Sequence, residues 1–205
     1  MQIVYNNRYG CFTLCETKQH AKTPDYLLSY SLSQYPPLTD TTIQNAIIEY
    51  MRCSDEPNPY ADACRTNSKY GLIEMWDTSN ITTMNNLFNA NYTPDTANFN
   101  FDITNWNTCN VIDMTGMFAF QESFNHNIGK WNVSKVNGMN GMFDTNIGIF
   151  NQDLSGWKTN ITKAPYKHVD SFACNNPIEN IPNYLPYYND NTRIEGCGGP
   201  NGDGP

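Results

Sequence analysis

Three histidines and seven cysteines are the residues of this 205-residue chain with the widest chemical repertoire. A histidine acts as a general base when a nucleophile and an orienting partner stand within reach. His20, His126 and His168 stand apart in the sequence, with no Gly-x-Ser-x-Gly, His-Glu-x-x-His or phosphate-loop pattern around them. The sequence therefore reads as non-enzymatic, with no cofactor. The cysteines form no Cys-x-x-Cys pair beside a histidine, so no zinc geometry is expected. Clusters of Asp and Asn at Tyr188–Asn191 and Asn201–Asp203 lack the spaced ligand set of a calcium loop and read as polar turns, so no metal is assigned.

What chemistry remains is covalent and structural. Cys109 is expected to be a small buried thiol, because the matching positions of its neighbours hold Ser79 and Ser134. Cys11, Cys15, Cys53, Cys64, Cys174 and Cys197 flank the central region and are read as staples, with Cys11–Cys15, Cys53–Cys64 and Cys174–Cys197 as the expected pairs. Four Asn-x-Ser/Thr triplets, at Asn80, Asn91, Asn132 and Asn160, would accept N-glycans on a eukaryotic secretory route. Repeat sequence alone also generates such triplets, and Asn91, in an inserted loop, is the best placed.

The elements that hold these residues are set by a repeat. Trp76, Trp106, Trp131 and Trp157 are the four tryptophans of the chain, spaced by 30, 25 and 26 residues. Phe88, Phe118 and Phe143 follow the first three in register, as do Met84, Met114 and Met139. A Phe-Asn pair precedes each of the last three, at Phe99-Asn100, Phe124-Asn125 and Phe150-Asn151. Periods of this size mark stacked repeats, since one such unit cannot bury its own apolar face. The four tryptophans are expected to form a core ladder. Apolar spacing of three, two and three within a unit predicts a short parallel strand followed by a helical turn. On that reading Cys109 and Val111 point inward. Thr78, Asn80, Thr82, Thr108, Asn110, Ile112, Val133, Lys135 and Asn137 point outward, either as a binding face or as solvated surface.

Trp-Asp-Thr-Ser-Asn-Ile-Thr-Thr-Met at 76–84, Met-Thr-Gly-Met-Phe at 114–118 and Phe-Asn-Gln-Asp-Leu-Ser-Gly-Trp at 150–157 resemble the BspA-like leucine-rich repeat, a surface-protein repeat first described as a mycoplasma family of unknown function. The resemblance covers roughly residues 38–175. It implies an α/β fold, a short leucine-rich-repeat-like solenoid with parallel strands, and adhesion or protein–protein interaction without catalytic residues. Members of the family are usually exposed at a surface or secreted, and some occur in large DNA viruses.

Taken in order, 1–38 reads as an irregular arm whose Tyr26, Leu27 and Leu28 either pack against the domain, the favoured reading, or dock on a partner. Residues 39–70 hold a helix, capped by Thr39 or Asp40 with Ile43, Ala46, Ile47 and Tyr50 on one face, and a following loop. The repeat region is 71–175, with about four units, and 176–205 is a Pro/Gly-rich tail. Twelve dispersed Lys and Arg against twenty Asp and Glu, a net charge of −8, disfavour nucleic-acid binding. No apolar run is long enough to span a membrane. The first residues lack the basic and apolar regions of a signal peptide, so the chain reads as made in the cytosol or as a processed piece. Two functions fit: an interaction or adhesion module at an extracellular or cell surface, with other proteins as partners, or a structural component of a large assembly such as a virion, as a minor capsid or decoration protein.

Overall fold

Stacked rings carry each repeat onto the next. In the computed structural model Phe88, Phe118 and Phe143 form a column with centroid separations of 5.4 Å and interplanar angles of 9° and 8°. A second column runs beside it through Phe99, Phe124 and Phe150 at 5.8 and 5.9 Å. Within each rung the two rings also stack, at 3.9 Å for Phe88–Phe99 and 4.2 Å for both Phe118–Phe124 and Phe143–Phe150. All six are 2% exposed or less. Pairs of this kind add roughly 0.5–1.5 kcal/mol each beyond area burial. The structure describes residues 35–53, 68–144, 148–161, 172–174, 177, 185–187, 191 and 194. The N-terminal arm and most of the tail expected from the sequence lie outside them.

Trp76 stacks on Trp106 at 6.0 Å and Trp131 on Trp157 at 6.3 Å. Three of the four indole N–H groups have the same kind of partner, a carbonyl three residues before the preceding tryptophan: Trp106 donates to Ile73, Trp131 to Ile103 and Trp157 to Ile128, at 2.9, 3.3 and 3.1 Å, while Trp76 donates to Gly71 O at 3.0 Å. The ring is thus buried without orphaning its one polar atom.

The expected parallel-strand architecture is not what forms. Among the described residues there is no sheet, only isolated parallel bridges at Thr83–Asp113, Asp113–Gly138 and Lys158–Tyr187. The described residues hold one α-helix and two short 3₁₀ turns, at Ile73–Met75 and Pro94–Thr96. The physical reason lies in the residues meant to extend. Asn107 Oδ1 accepts the Cys109 amide at 3.1 Å, and Val111 N–H then bonds Thr108 O at 3.0 Å. The same turn recurs as Ile81 to Thr78 and Val136 to Val133. Short polar side chains give the backbone a partner close by, and a turn replaces a strand.

Further along each unit the amides divide their labour. Met84, Asn86, Phe88 and Ala90 donate across to Asp113, Thr115, Met117 and Ala119 of the next unit, whereas Leu87 and Asn89 donate back to Met84 and Asn86. The pattern repeats from Met114, Gly116, Phe118 and Phe120 to Gly138, Asn140, Met142 and Asp144. This folding needs a left-handed residue at one place per unit, filled by Asn86, Gly116 and Gly141 with φ of 53°, 62° and 56°. At Gly116 a Cβ would also lie 2.3 Å from Asn86 Oδ1.

Helix α1, Ile43–Arg52, lies over the first unit. Its buried face is Ile43, Ala46, Ile47, Tyr50 and Met51, and Tyr50 meets Trp76 edge-on at 5.6 Å. Gln44 donates to Leu87 O and Thr93 Oγ1, and Arg52 pairs with Asp95 at 3.3 Å. The N-cap is Thr42, without a side-chain capping bond, in place of the expected Thr39 or Asp40. Asp40 is used elsewhere. Its carboxylate accepts the amides of Thr82 and Thr83 at 2.7 and 3.2 Å and the Thr82 hydroxyl at 2.5 Å. In the next units Ile112 N–H takes Thr82 O and Asn137 N–H takes Ile112 O. Thr82 has no preceding unit, so a carboxylate stands where that unit's carbonyl would be.

Burial pushes the Asp40 carboxyl up, but the Thr82 hydroxyl and the Thr82 and Thr83 amides outweigh it and hold the group below its ordinary value. A depressed folded pKa stabilises above the unfolded value, and that contribution disappears as pH falls through the folded one. Asp40→Ala is expected to cost about 1 kcal/mol at neutral pH, the exposed site being screened by solvent. Urea titrations across pH should show the gap between wild type and Asp40→Asn narrowing below about pH 4, the ordinary carboxylate range. Phe118→Ala, which interrupts the first Phe column at its middle rung and removes the stack on Phe124, is expected to cost about 3–5 kcal/mol in the same assay.

Candidate functional site

The turns that replace the expected strands decide which side chains reach the surface. Two residues after each tryptophan the chain faces inward: Thr78 and Thr108 are fully buried and Val133 is 2% exposed. These three were expected outside, and the tight turn starting at each of them swings them into the core. The rest of the expected face is exposed, as two short rows: Asn80, Asn110 and Lys135, and Thr82, Ile112 and Asn137. Cys109 and Val111 are buried, at 6% and 0%. Ser79 is half-buried and Ser134 exposed, so the small-residue column containing Cys109 is enclosed at its middle rung alone.

The first row is cross-linked through side chains. Asn110 Nδ2 donates to Ser79 O at 2.9 Å, and Lys135 Nζ donates to Asn110 Oδ1 at 2.8 Å. The second row is held through the backbone, by the bonds from Ile112 to Thr82 and from Asn137 to Ile112. Ile112, 45% exposed, is the apolar centre of a surface that is otherwise amide, hydroxyl and ammonium. The buried threonines set the register beneath. Thr78 Oγ1 donates to Asn107 O and accepts Asn107 N–H, and Thr108 Oγ1 donates to Asn132 O.

A second polar edge runs along the Phe-Asn pairs. Asn100 Oδ1 accepts Asn125 N–H and Asn125 Oδ1 accepts Asn151 N–H, so each carboxamide reaches the next unit's backbone. His126 Nε2 bonds Asn100 O at 2.9 Å, and Gln152 Nε2 bonds Asn125 O at 3.0 Å. His126 thus occupies the same turn position as Gln152, and its Nε2 must carry the proton to donate to a carbonyl. Nearby Asp102 is pushed up by burial, but the Thr104 hydroxyl and amide and the charge of His126 bring it below its ordinary value. His20 and His168 lie outside the described residues.

Of the glycan candidates, Asn80, Asn91 and Asn160 are exposed. Asn132 is half-buried, with its Nδ2 3.6 Å from Cys109 Sγ. Cys109 is a buried thiol that is not disulfide-bonded. Cys53 and Cys174 are disulfide-bonded; Cys11, Cys15, Cys64 and Cys197, and with them the expected pairings, lie outside the described residues. No group of three or more His, Cys, Asp or Glu suited to a metal is present among the described residues. No described helix is long and apolar enough to cross a membrane. Of the two Asp/Asn clusters, Asn191 alone is described.

These features define a protein of stacked repeat turns, capped by a helix, that presents polar rows with one apolar centre. The chain belongs to the family described as "Mycoplasma protein of unknown function, DUF285", which matches residues 60–181, more than half its length. No curated protein and no solved structure matches it.

Thr78→Val and Asn110→Ala separate scaffold from surface. Thr78→Val removes the Oγ1 that joins Asn107 N–H and Asn107 O at a part-buried site and is expected to cost about 1–3 kcal/mol. Asn110→Ala is expected to stay within about 0.5 kcal/mol of wild type. Chemical denaturation of the two variants checks both.

Proposed function

We propose that this chain is a non-enzymatic protein–protein interaction or adhesion module displayed at a surface, and that its contact area is the pair of rows Asn80–Asn110–Lys135 and Thr82–Ile112–Asn137. The observation that carries this reading is the exposed Ile112, held rigidly from both sides by backbone bonds to Thr82 and Asn137. An isoleucine that the fold does not bury, on a surface whose other side chains are fixed in register, is a pre-organised contact point. Membership of a repeat family supports the same reading, since stacked repeats bind along such surfaces. The area is small, so useful affinity requires several copies or flanking segments acting together. An acidic chain with few dispersed cations directs the choice of partner towards proteins and away from nucleic acid. A membrane-spanning role has no support among the described helices.

Ile112→Glu tests the proposal, with a photo-crosslinking residue at position 112 in a parallel variant. Crosslinks to a discrete protein from native cell surfaces, abolished by Lys135→Glu with unchanged thermal stability, are the expected result. Crosslinking at 112 that is no stronger than at exposed Tyr92 would overturn it. Recovery of the crosslinks with particle proteins in place of surface proteins would favour the structural-component role.

A further inference from the structure

Two Asn-Gly pairs stand in the third unit, Asn137-Gly138 and Asn140-Gly141, only three residues apart. Glycine after asparagine leaves the next backbone nitrogen unshielded, which makes the pair prone to ring closure. The two sites differ in their surroundings. Asn137 is exposed, and neither its carboxamide nor the Gly138 N–H makes a hydrogen bond among the described residues. Asn140 is half-buried, with its Oδ1 enclosed and without a partner there. Gly138 is fixed as glycine by its neighbour: a Cβ would lie 2.8 Å from Asp113 Oδ1 and 3.1 Å from Thr115 Oγ1. Close packing across the Asp113–Gly138 bridge therefore keeps a reactive dipeptide on the exposed row.

We propose that Asn137 is a site of spontaneous covalent modification, converting through a succinimide to aspartate and isoaspartate. The Gly138 nitrogen attacks Asn137 Cγ and an N–Cγ bond forms. The Cγ–Nδ2 bond breaks, and Nδ2 leaves as ammonia with the proton from the Gly138 amide. Water then adds to one imide carbonyl. Cleavage at the side-chain carbonyl gives aspartate; cleavage at the main-chain carbonyl gives isoaspartate. The sequence of steps consumes one water, releases one ammonia and needs no oxidant or reductant.

The product matters because of where it forms. Asn137 N–H donates to Ile112 O at 2.8 Å and Gly138 O accepts Met114 N–H at 2.9 Å, so the reacting peptide lies between two bonds that tie the units together. Isoaspartate inserts one extra backbone atom between those anchors and forces one of them to break. Either product also places a negative charge beside Ile112 and Lys135, on the surface proposed above for partner contact. The modification stands whether or not that surface binds a partner.

Purified full-length protein is held in mildly alkaline buffer at 37 °C and sampled over days. Peptide mapping reads the gain of one mass unit at each asparagine, and isoaspartate methyltransferase labelling reads the isomer. Conversion several-fold faster at Asn137 than at Asn140 in the folded protein is expected, with the two rates converging in urea. Asn137→Gln is expected to lose the methyltransferase signal from this peptide while keeping the native melting profile. Equal rates at the two asparagines in the folded protein would overturn the proposal. So would an Asn137 that stays intact when folded but converts in urea.

Discussion

Everything in this structure rests on ring-on-ring contact at a fixed rise. Two phenylalanine columns and the tryptophan pairs hold successive units with ring centroids 5.4–6.3 Å apart, and the crossing amide bonds then fall into reach. Neither force suffices alone. Aromatic stacking is tolerant of sliding, and hydrogen bonds between irregular turns are worth little net of solvent. Together they fix the register. The indole N–H shows the coupling directly, because a tryptophan can reach the preceding unit's carbonyl only when its ring is seated on that unit.

A stack of this kind has a problem at its ends, where the last unit has amides and rings without a neighbour. At the start, α1 covers Trp76 with Tyr50, and Asp40 supplies oxygens to the Thr82 and Thr83 amides. At the far end, Phe172 closes the first Phe column edge-on against Phe143, and its carbonyl accepts the Phe143 amide. Tyr187 exchanges backbone bonds with Trp157 and Thr159. Non-repeat residues thus imitate one missing unit on each side. Edges satisfied in this way do not template addition of further chains.

Spacing alone made the columns legible. Like residues at a common period must either stack or be exposed, and rings as large as Trp and Phe are too costly to expose. Helix α1 was legible for the same reason, from Ile43, Ala46, Ile47 and Tyr50 on one face. The turns were not legible in the same way, because apolar spacing does not distinguish a strand from a chain of turns. Asn107 and Asn132 each accept the amide two residues on, as Asp77 does in the first unit, and that local bond defeats extension. The cue was present: each of the first three units has Asp or Asn directly after its tryptophan, followed by Ser or Cys two residues later. Weighted properly, it places Thr78, Thr108 and Val133 inside. Asp40 was not legible, since its partners lie more than forty residues away and a helix start explains an aspartate equally well.

The turn architecture also changes what the surface can be. A sheet would present every second side chain along one flat plane. Turns bury the residue two after each tryptophan and, after Trp76, Trp106 and Trp131, expose those four and six on. On the proposed reading such rows would offer a few fixed contacts, and selectivity would come from register, since Asn110, Lys135 and Ile112 are held by bonds between units. If that reading holds, a partner repeating at the same rise would engage successive rungs with equal geometry, and the stacking interval that holds the fold together would be the quantity it has to match.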